Sequence, residues 1–161
     1  MDETQTLPKP ARIVLDDADK RGIAIEIVRT EKSARSAEEA AEAVGADVGQ
    51  IVKTLVFQGK QSGEPLMVLT AGDRRVDEKA VARLIGEKIR RPDAEFVRQA
   101  TGFAIGGVSP FGSSSSIRCL MDETLFRFET VWAAAGTPYH VFAIAPKALQ
   151  KATGAEIAAI G

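Results

Sequence analysis

The chain has 161 residues, of which 45% are hydrophobic and 27% charged, which is typical of one globular domain with its own core. Its formal net charge of -1 excludes a strongly basic protein that binds nucleic acid without specificity. The single cysteine, Cys119, excludes an internal disulfide, and no apolar run approaches the roughly 20 residues that cross a bilayer. We therefore expect one soluble cytoplasmic domain over residues 1–161, with no membrane segment.

The N-terminal part predicts an arm, a helix and a strand. Residues 1–10 are polar and contain two prolines, which predicts a loose arm. A helix near residues 12–20 follows, and Gly22 ends it. Alternating apolar and polar residues over 23–28 then predict that a strand begins there.

Residues typical of helix ends mark four further helices. Three begin after a capping side chain and stop at a glycine: 37–44 between Ser36 and Gly45, 78–85 between Asp77 and Gly86, and 94–100 between Asp93 and Gly102. Ser36 also has a glutamate three residues later, which is the spacing of a capping box. The last helix begins at Pro146 and ends at Gly154.

Runs rich in β-branched and apolar residues predict five more strands, at 51–57, 66–70, 117–121, 125–133 and 139–145. The first two are separated by a short glycine-containing segment and predict a hairpin, with Cys119 buried in the third. Helices and strands do not alternate regularly as in βαβ units. The pattern therefore favours an α/β or α+β fold with a mostly antiparallel or mixed sheet flanked by helices.

Several kinds of chemistry lack the residues that they need. One histidine, His140, and one cysteine cannot form a metal cluster, and carboxylates show no recognisable magnesium spacing. Ser109 does not lie in a Gly-x-Ser-x-Gly elbow, because Phe111 replaces the second glycine. No glycine-rich nucleotide-binding motif is present, so we expect neither a metal nor a cofactor.

Two features remain as candidates for a site. Lys53 stands in an otherwise apolar strand, where a charge costs free energy unless it reaches a pocket, a partner or water. A lysine that extends along the strand edge to water is an equally good interpretation. The turn Gly106-Gly107-Val108-Ser109-Pro110 can present backbone N–H groups to a carbonyl or oxyanion, although a plain tight turn has the same pattern.

Residues 74–98 carry eight basic and five acidic side chains, so this stretch can contact phosphates locally. We take four of its arginines as candidates for contact with the phosphates of a nucleic acid: Arg74, Arg75, Arg90 and Arg91. Solvated helix faces of mixed charge are the alternative interpretation of the same residues.

Four segments together resemble the YbaK/EbsC family, which includes free-standing proteins and the editing domain of bacterial prolyl-tRNA synthetases. They are 51–56, 71–77, 101–112 and 133–138, in this order along the chain. The resemblance implies hydrolysis of the ester between a mischarged amino acid and the terminal ribose of a tRNA, commonly the tRNA for proline. It also implies a YbaK-like mixed sheet or partial barrel.

The resemblance places the family's invariant lysine on Lys53 and its glycine-to-proline loop on Gly106 to Pro110. We predict that Lys53 anchors the ester end of the substrate and that the amides of Gly106 and Gly107 orient the carbonyl. The predicted substrate contacts are Val52, Thr54, Phe103, Val108, Ser109, Pro110, Ala134 and His140. In cysteine-specific relatives a serine, an aspartate and a tyrosine line the pocket, where this chain has Ala133, His140 and Thr30. These differences argue against a site specific for cysteine and resemble the branches of the family that clear alanine, serine or threonine. The expected substrates are small residues of the alanine, serine, threonine and cysteine class.

The expected partner is aminoacyl-tRNA, with prolyl-tRNA synthetase as a second candidate, and the expected state is a monomer or weak homodimer. Two other functions fit the same residues. One is a non-catalytic module that binds aminoacyl-tRNA or a synthetase through the basic stretch 74–98. The other is a structural or interaction domain that kept the fold and lost the chemistry.

Overall fold

The computed structural model describes residues 7–161. They form five α-helices, at Lys9–Lys20 (α1), Ala37–Val44 (α2), Glu78–Ile85 (α3), Ala94–Thr101 (α4) and Pro146–Thr153 (α5). Eight strands accompany them, at Ile27–Arg29 (β1), Val52–Gly59 (β2), Pro65–Ala71 (β3), Ile89–Arg90 (β4), Arg118–Asp122 (β5), Val131–Ala134 (β6), His140–Ile144 (β7) and Glu156–Ala158 (β8). Short 3-10 helices lie at Val48–Gln50 and Glu123–Arg127. None of the helices in this part of the chain is long and apolar enough to cross a membrane.

The strands form two sheets. The larger has the order β4-β2-β3-β5-β8, in which β2 is antiparallel to β3 and β4, whereas β5 is parallel to β3 and β8. The smaller has the order β1-β7-β6 and is antiparallel throughout. Neither order closes into a barrel among the described residues. The predicted α+β fold with a mixed sheet and flanking helices is therefore confirmed.

Most predicted helix ends are confirmed, because they depend on side chains close in sequence. Ser36 Oγ accepts from the Glu39 amide at 3.1 Å, and Glu39 Oε1 accepts from the Ser36 amide at 3.2 Å, which completes the capping box of α2. Asp77 and Asp93 cap α3 and α4 with a carboxylate oxygen that accepts a backbone N–H. A glycine with positive φ follows each of α2, α3, α4 and α5.

Helix α1 begins earlier than predicted. It starts at Lys9 and includes Pro10, so the end of the expected arm is helical. Proline is tolerated there because the first turn of a helix leaves its N–H groups without partners inside the helix. The rest of the predicted arm, residues 1–6, lies outside the described residues.

Helix α1 also holds two loops of the molecule. The carboxylate of Asp17 accepts from the Gly112 amide at 2.7 Å, at the end of the glycine-rich loop. Pro10 lies against Gly136 so closely that a Cβ added to this glycine would come within 2.7 Å of the Pro10 carbonyl. The helix therefore contacts both the loop that ends at Gly112 and the turn between β6 and β7.

Two predicted strands are shorter than expected. β1 pairs with β7 only over Ile27–Arg29, so residues 23–26 of the predicted strand do not join the sheet. The predicted strand 125–133 begins only at Val131, because the Asp122 carboxylate accepts from the Thr124 amide at 3.3 Å and starts a 3-10 turn. The short strands β4 and β8 were not predicted.

Part of β2 has an open edge among the described residues. The smaller sheet meets the start of β2 through an isolated bridge between Ile51 and Trp132. β4 pairs with β2 only at Gln58 and Gly59. The segment 53–57 between these points has β3 on one side and no strand on the other. The candidate site lies along this open edge.

Candidate active site

Lys53 lies on β2 opposite Thr70 of β3, and its side chain is half-buried. Its Nζ donates to the backbone carbonyl of Arg74, in the loop that follows β3. Burial lowers the pKa of Lys53 below its ordinary value, while the nearby Glu38 carboxylate acts in the opposite direction. The lysine is therefore fixed at its tip by a loop carbonyl and is only partly surrounded by water.

A cavity of about 580 Å³ lies beside this lysine. Its walls come from β2, the start of α2, the loop before Val108, strand β6 and the segment Arg91-Pro92. Seven predicted site residues line it: Val52, Lys53, Thr54, Arg91, Gly106, Val108 and Ala134. The structure thus brings the lysine strand and the glycine loop, about fifty residues apart in sequence, to one cavity.

The open edge of β2 gives this cavity backbone hydrogen-bonding groups. The Gly72 amide donates to the Ile51 carbonyl at 2.8 Å, so this pair is hydrogen-bonded across the β2–β3 ladder. Along an antiparallel strand, the backbone N–H and C=O groups of successive residues point alternately toward one neighbouring strand and toward the other side. Because those of Ile51 point toward β3, those of Thr54 and Val56 point away from β3 and toward the open edge. The Thr54 hydroxyl, also at the cavity, has no hydrogen-bond partner among the described residues.

The two glycines of the turn are placed differently. Gly106 has a φ of 97° and lines the cavity, with the Arg35 side chain lying across its α-carbon. Gly107 lies behind it, against the backbone of Gly136, and its amide donates to the Ala104 carbonyl at 3.0 Å. The Gly106 amide has no hydrogen-bond partner in the described chain, which leaves it available to a ligand. A direct substrate contact of Gly107 stays a prediction.

Three predicted substrate contacts support the loop from behind and do not line the cavity. Phe103 is 2% exposed and belongs to the main core. Ser109 is fully buried, and its Oγ accepts from the Phe111 amide at 3.2 Å. Pro110 is buried beside it. Their contact with substrate stays a prediction, while their packing fixes the shape of the loop.

His140 is the remaining predicted contact, and it is 7% exposed. Its neighbour Val141 lines the cavity, so the alternation of β7 turns the imidazole to the opposite face of the strand. There Nδ1 lies 2.6 Å from the hydroxyl of Thr137. Burial and, to a smaller extent, Arg29 lower the pKa of His140.

We expect His140 to titrate below the ordinary histidine pKa of 6.5. The folded state binds the proton less readily than the unfolded state, so the free energy of unfolding should fall as pH drops below 6.5 toward the folded pKa. Because the chain has one histidine, a single imidazole signal in a proton NMR titration measures this pKa directly. A midpoint at or above 6.5 would contradict the expectation.

The four arginines proposed for tRNA are exposed and make only weak contacts with other side chains. Arg90 donates to the amide oxygen of Gln58 at 2.9 Å, and Arg91 lies 3.7 Å from Glu78. Arg74 is 3.9 Å from Asp73. Exposed pairs of this kind contribute little stability, so the guanidinium groups can exchange partners at low cost. Arg91 lies at the cavity and also at a second groove of about 400 Å³ that Arg90 shares.

Sequence reasoning missed several residues of the cavity, among them Arg35, Glu38, Ile105 and Trp132. Arg35 and Glu38 flank the capping serine of α2, and only the packing of this helix on the smaller sheet brings them to β2. Ile105, next to the predicted turn, is 58% exposed. An exposed apolar side chain can mark a binding site, but its exposure is known only from the structure. Among residues 7–161, no group of three or more His, Cys, Asp or Glu side chains is arranged to hold a metal ion.

Known proteins share this architecture. The family described as the aminoacyl-tRNA editing domain matches residues 31–152. The uncharacterised protein YwhH of Bacillus subtilis is 32% identical over 126 residues, which cover 78% of this chain and 80% of that protein. EbsC of Enterococcus faecalis, described as a candidate Cys-tRNA(Pro)/Cys-tRNA(Cys) deacylase, is 29% identical over 78% of this chain and 76% of its own.

The fold of a solved structure agrees with these matches. A crystal structure described as a candidate trans-editing enzyme for prolyl-tRNA synthetase superposes with a TM-score of 0.90 at 43% identity, covering 96% of this chain and 98% of that one. The resemblance seen in the lysine strand and the glycine loop is confirmed, and with it the expectation of an enzyme related to tRNA deacylases. The chain belongs to the aminoacyl-tRNA editing domain family.

Proposed function

We propose that this chain is a free-standing trans-editing deacylase that removes a small amino acid, of the alanine, serine, threonine and cysteine class, from tRNA. The tRNA for proline is the expected carrier. One observation carries the proposal: Lys53 and the free amide of Gly106 lie at the same cavity, beside apolar walls. A cationic anchor can position the ester, and an N–H donor can stabilise the oxyanion, and both effects accelerate hydrolysis of an activated ester.

In the proposed reaction, the oxygen of a water molecule attacks the ester carbonyl carbon. The carbonyl oxygen becomes an oxyanion, which the Gly106 amide stabilises. The bond from this carbon to the ribose oxygen then breaks, and the ribose oxygen takes one of the two protons of the water. The second proton is released to solvent, and the amino acid leaves as its carboxylate. Lys53 holds the ester end through the terminal phosphate or the amino-acid moiety, which converts hydrolysis into a reaction within one complex.

The apolar walls set the proposed selectivity. Val52, Val108 and Ala134 line the cavity and offer contacts that depend on side-chain size. One methylene group changes binding in an apolar pocket by about 1–3 kcal/mol, so discrimination between neighbouring sizes should be graded. Ala133 is 1% exposed and offers no hydroxyl to a thiol substrate.

Release of labelled amino acid from a panel of charged tRNAs tests the proposal. The panel carries alanine, serine, threonine, cysteine and proline on the tRNA for proline and on each cognate tRNA. We expect rapid release of one or two small residues, with proline spared. Release no faster than spontaneous hydrolysis from every member would overturn the deacylase proposal.

The basic surface makes tRNA binding without catalysis the second candidate. Arg90 and Arg91 lie at the groove that adjoins the cavity, so a module that only holds aminoacyl-tRNA would use the same side chains. Such a module would protect the ester, and its affinity would fall steeply with salt.

We further propose that residues 1–161 act as one domain, in the cytoplasm, as a monomer or weak homodimer that can meet prolyl-tRNA synthetase.

A further inference from the structure

The charges around the cavity are unevenly distributed. Three basic side chains line it, those of Arg35, Lys53 and Arg91. Among the described lining residues, Glu38 alone carries a carboxylate. Among the described lining side chains, the cavity therefore offers several charged partners to an anion and one charged partner to a cation.

The carboxylate of Glu38 has no direct partner among the described residues. It makes no ion pair within 4.0 Å and no hydrogen bond in residues 7–161, although it is close enough to Lys53 to affect that side chain. The next residue, Glu39, performs the structural task at this helix end by closing the capping box with Ser36. Glu38 thus faces the cavity with its charge uncommitted.

An aminoacyl ester brings one cation to such a site. Its α-ammonium group is attached to the carbon next to the ester carbonyl, so it must lie within a few ångströms of the atom under attack. With the carbonyl at Gly106 and the ester end at Lys53, the basic side chains repel this ammonium, and a carboxylate is the group that binds it.

We propose that Glu38 forms the subsite for the α-ammonium group of the aminoacyl ester. The site then selects esters of amino acids with a free amino group and disfavours N-acylated esters, including peptidyl esters, which lack the charge. This inference rests on the proposed function for the identity of the ligand, and it adds a specificity that side-chain size does not provide.

Binding of two stable analogues tests the subsite without requiring turnover. The analogues are 3′-deoxy-3′-(L-alanylamino)adenosine, whose amide replaces the ester, and its N-acetyl derivative. We expect the wild type to bind the free amine at least about tenfold more tightly in calorimetry, as for a charge-assisted hydrogen bond. Glu38→Gln should bind both analogues equally. Glu42→Gln, which removes an exposed charge from the same helix away from the cavity, should keep the wild-type preference.

The subsite is overturned by equal binding of the two analogues by the wild type, by binding of neither, or by a preference that survives in Glu38→Gln. Loss of affinity for both analogues to the same extent in Glu38→Gln also overturns it, because Glu38 would then act through Lys53 or the helix end. If the preference depends on Glu38 while no charged tRNA is deacylated, the proposed function fails and the ammonium subsite remains.

Discussion

Replacing Lys53 with alanine is expected to lower kcat/KM for deacylation by at least about a hundredfold, the usual effect of removing one electrostatic group from an active site. The side chain lies at the cavity, and its tip is held by the carbonyl of Arg74. Its loss removes the proposed anchor of the ester end but no core packing. Single-turnover release from the best substrate of the tRNA panel measures the effect.

The same replacement should leave the fold unchanged. Burial lowers the pKa of Lys53, which shows that its charge is held at a desolvation cost, and the replacement removes this cost. The Arg74 carbonyl lies in an exposed loop, where water can replace the lysine as its hydrogen-bond donor. Lys60→Ala, at the exposed tip of the same hairpin, is the matched control and should keep full activity. Full activity in Lys53→Ala would remove this residue from the mechanism.

Replacing Gly107 with alanine is expected to destabilise the protein by about 1–3 kcal/mol and to lower activity further than this loss explains. A Cβ at this position would come within 2.7 Å of the Gly136 carbonyl oxygen and 2.9 Å of the Thr137 Cα. Both are backbone atoms, and Gly136 itself rests against Pro10 of α1, so it has no room to retreat. The loop must move instead, and the neighbouring Gly106 moves with it.

Urea denaturation and kcat/KM, both measured at a temperature where the variant is folded, separate the two effects. Gly154→Ala is the control, because this glycine has a φ of 66° and open space around it, at the end of α5. Its cost should be about 1 kcal/mol from the left-handed backbone alone, with activity unchanged. Equal activity of Gly107→Ala and Gly154→Ala would show that the position of the loop does not matter for catalysis.

The elements that could be predicted from sequence are those whose cause is local. The capping box at Ser36 and the caps Asp77 and Asp93 act within three residues, so their helices were predicted almost to the residue. Strands β4 and β8 contain two and three residues and exist only because a neighbour pairs with them. Such pairing depends on contacts between distant parts of the chain, which periodicity does not report.

The candidate site divides in the same way. Lys53 and Gly106 could be singled out because a charge in an apolar strand and paired glycines are unusual within their own segments. Glu38 could not, because glutamate in the first turn of a helix is ordinary, and its place at the cavity follows from how α2 packs beside β2. His140 shows the converse, since a unique histidine attracted attention although the alternation of β7 turns it away from the cavity, and its contact with substrate stays a prediction.

Because of the contacts of α1, the segment that matches the family is shorter than the segment that must be kept when the domain is moved or excised. The family match begins at residue 31, yet Asp17 holds the loop at Gly112, and Pro10 supports the turn at Gly136. An editing module moved into another protein, or excised for study, must therefore bring its first helix along. Borders drawn from the family match at residues 31–152 would keep Lys53 and Gly106 while discarding the helix that contacts the loop at Gly112 and the turn at Gly136.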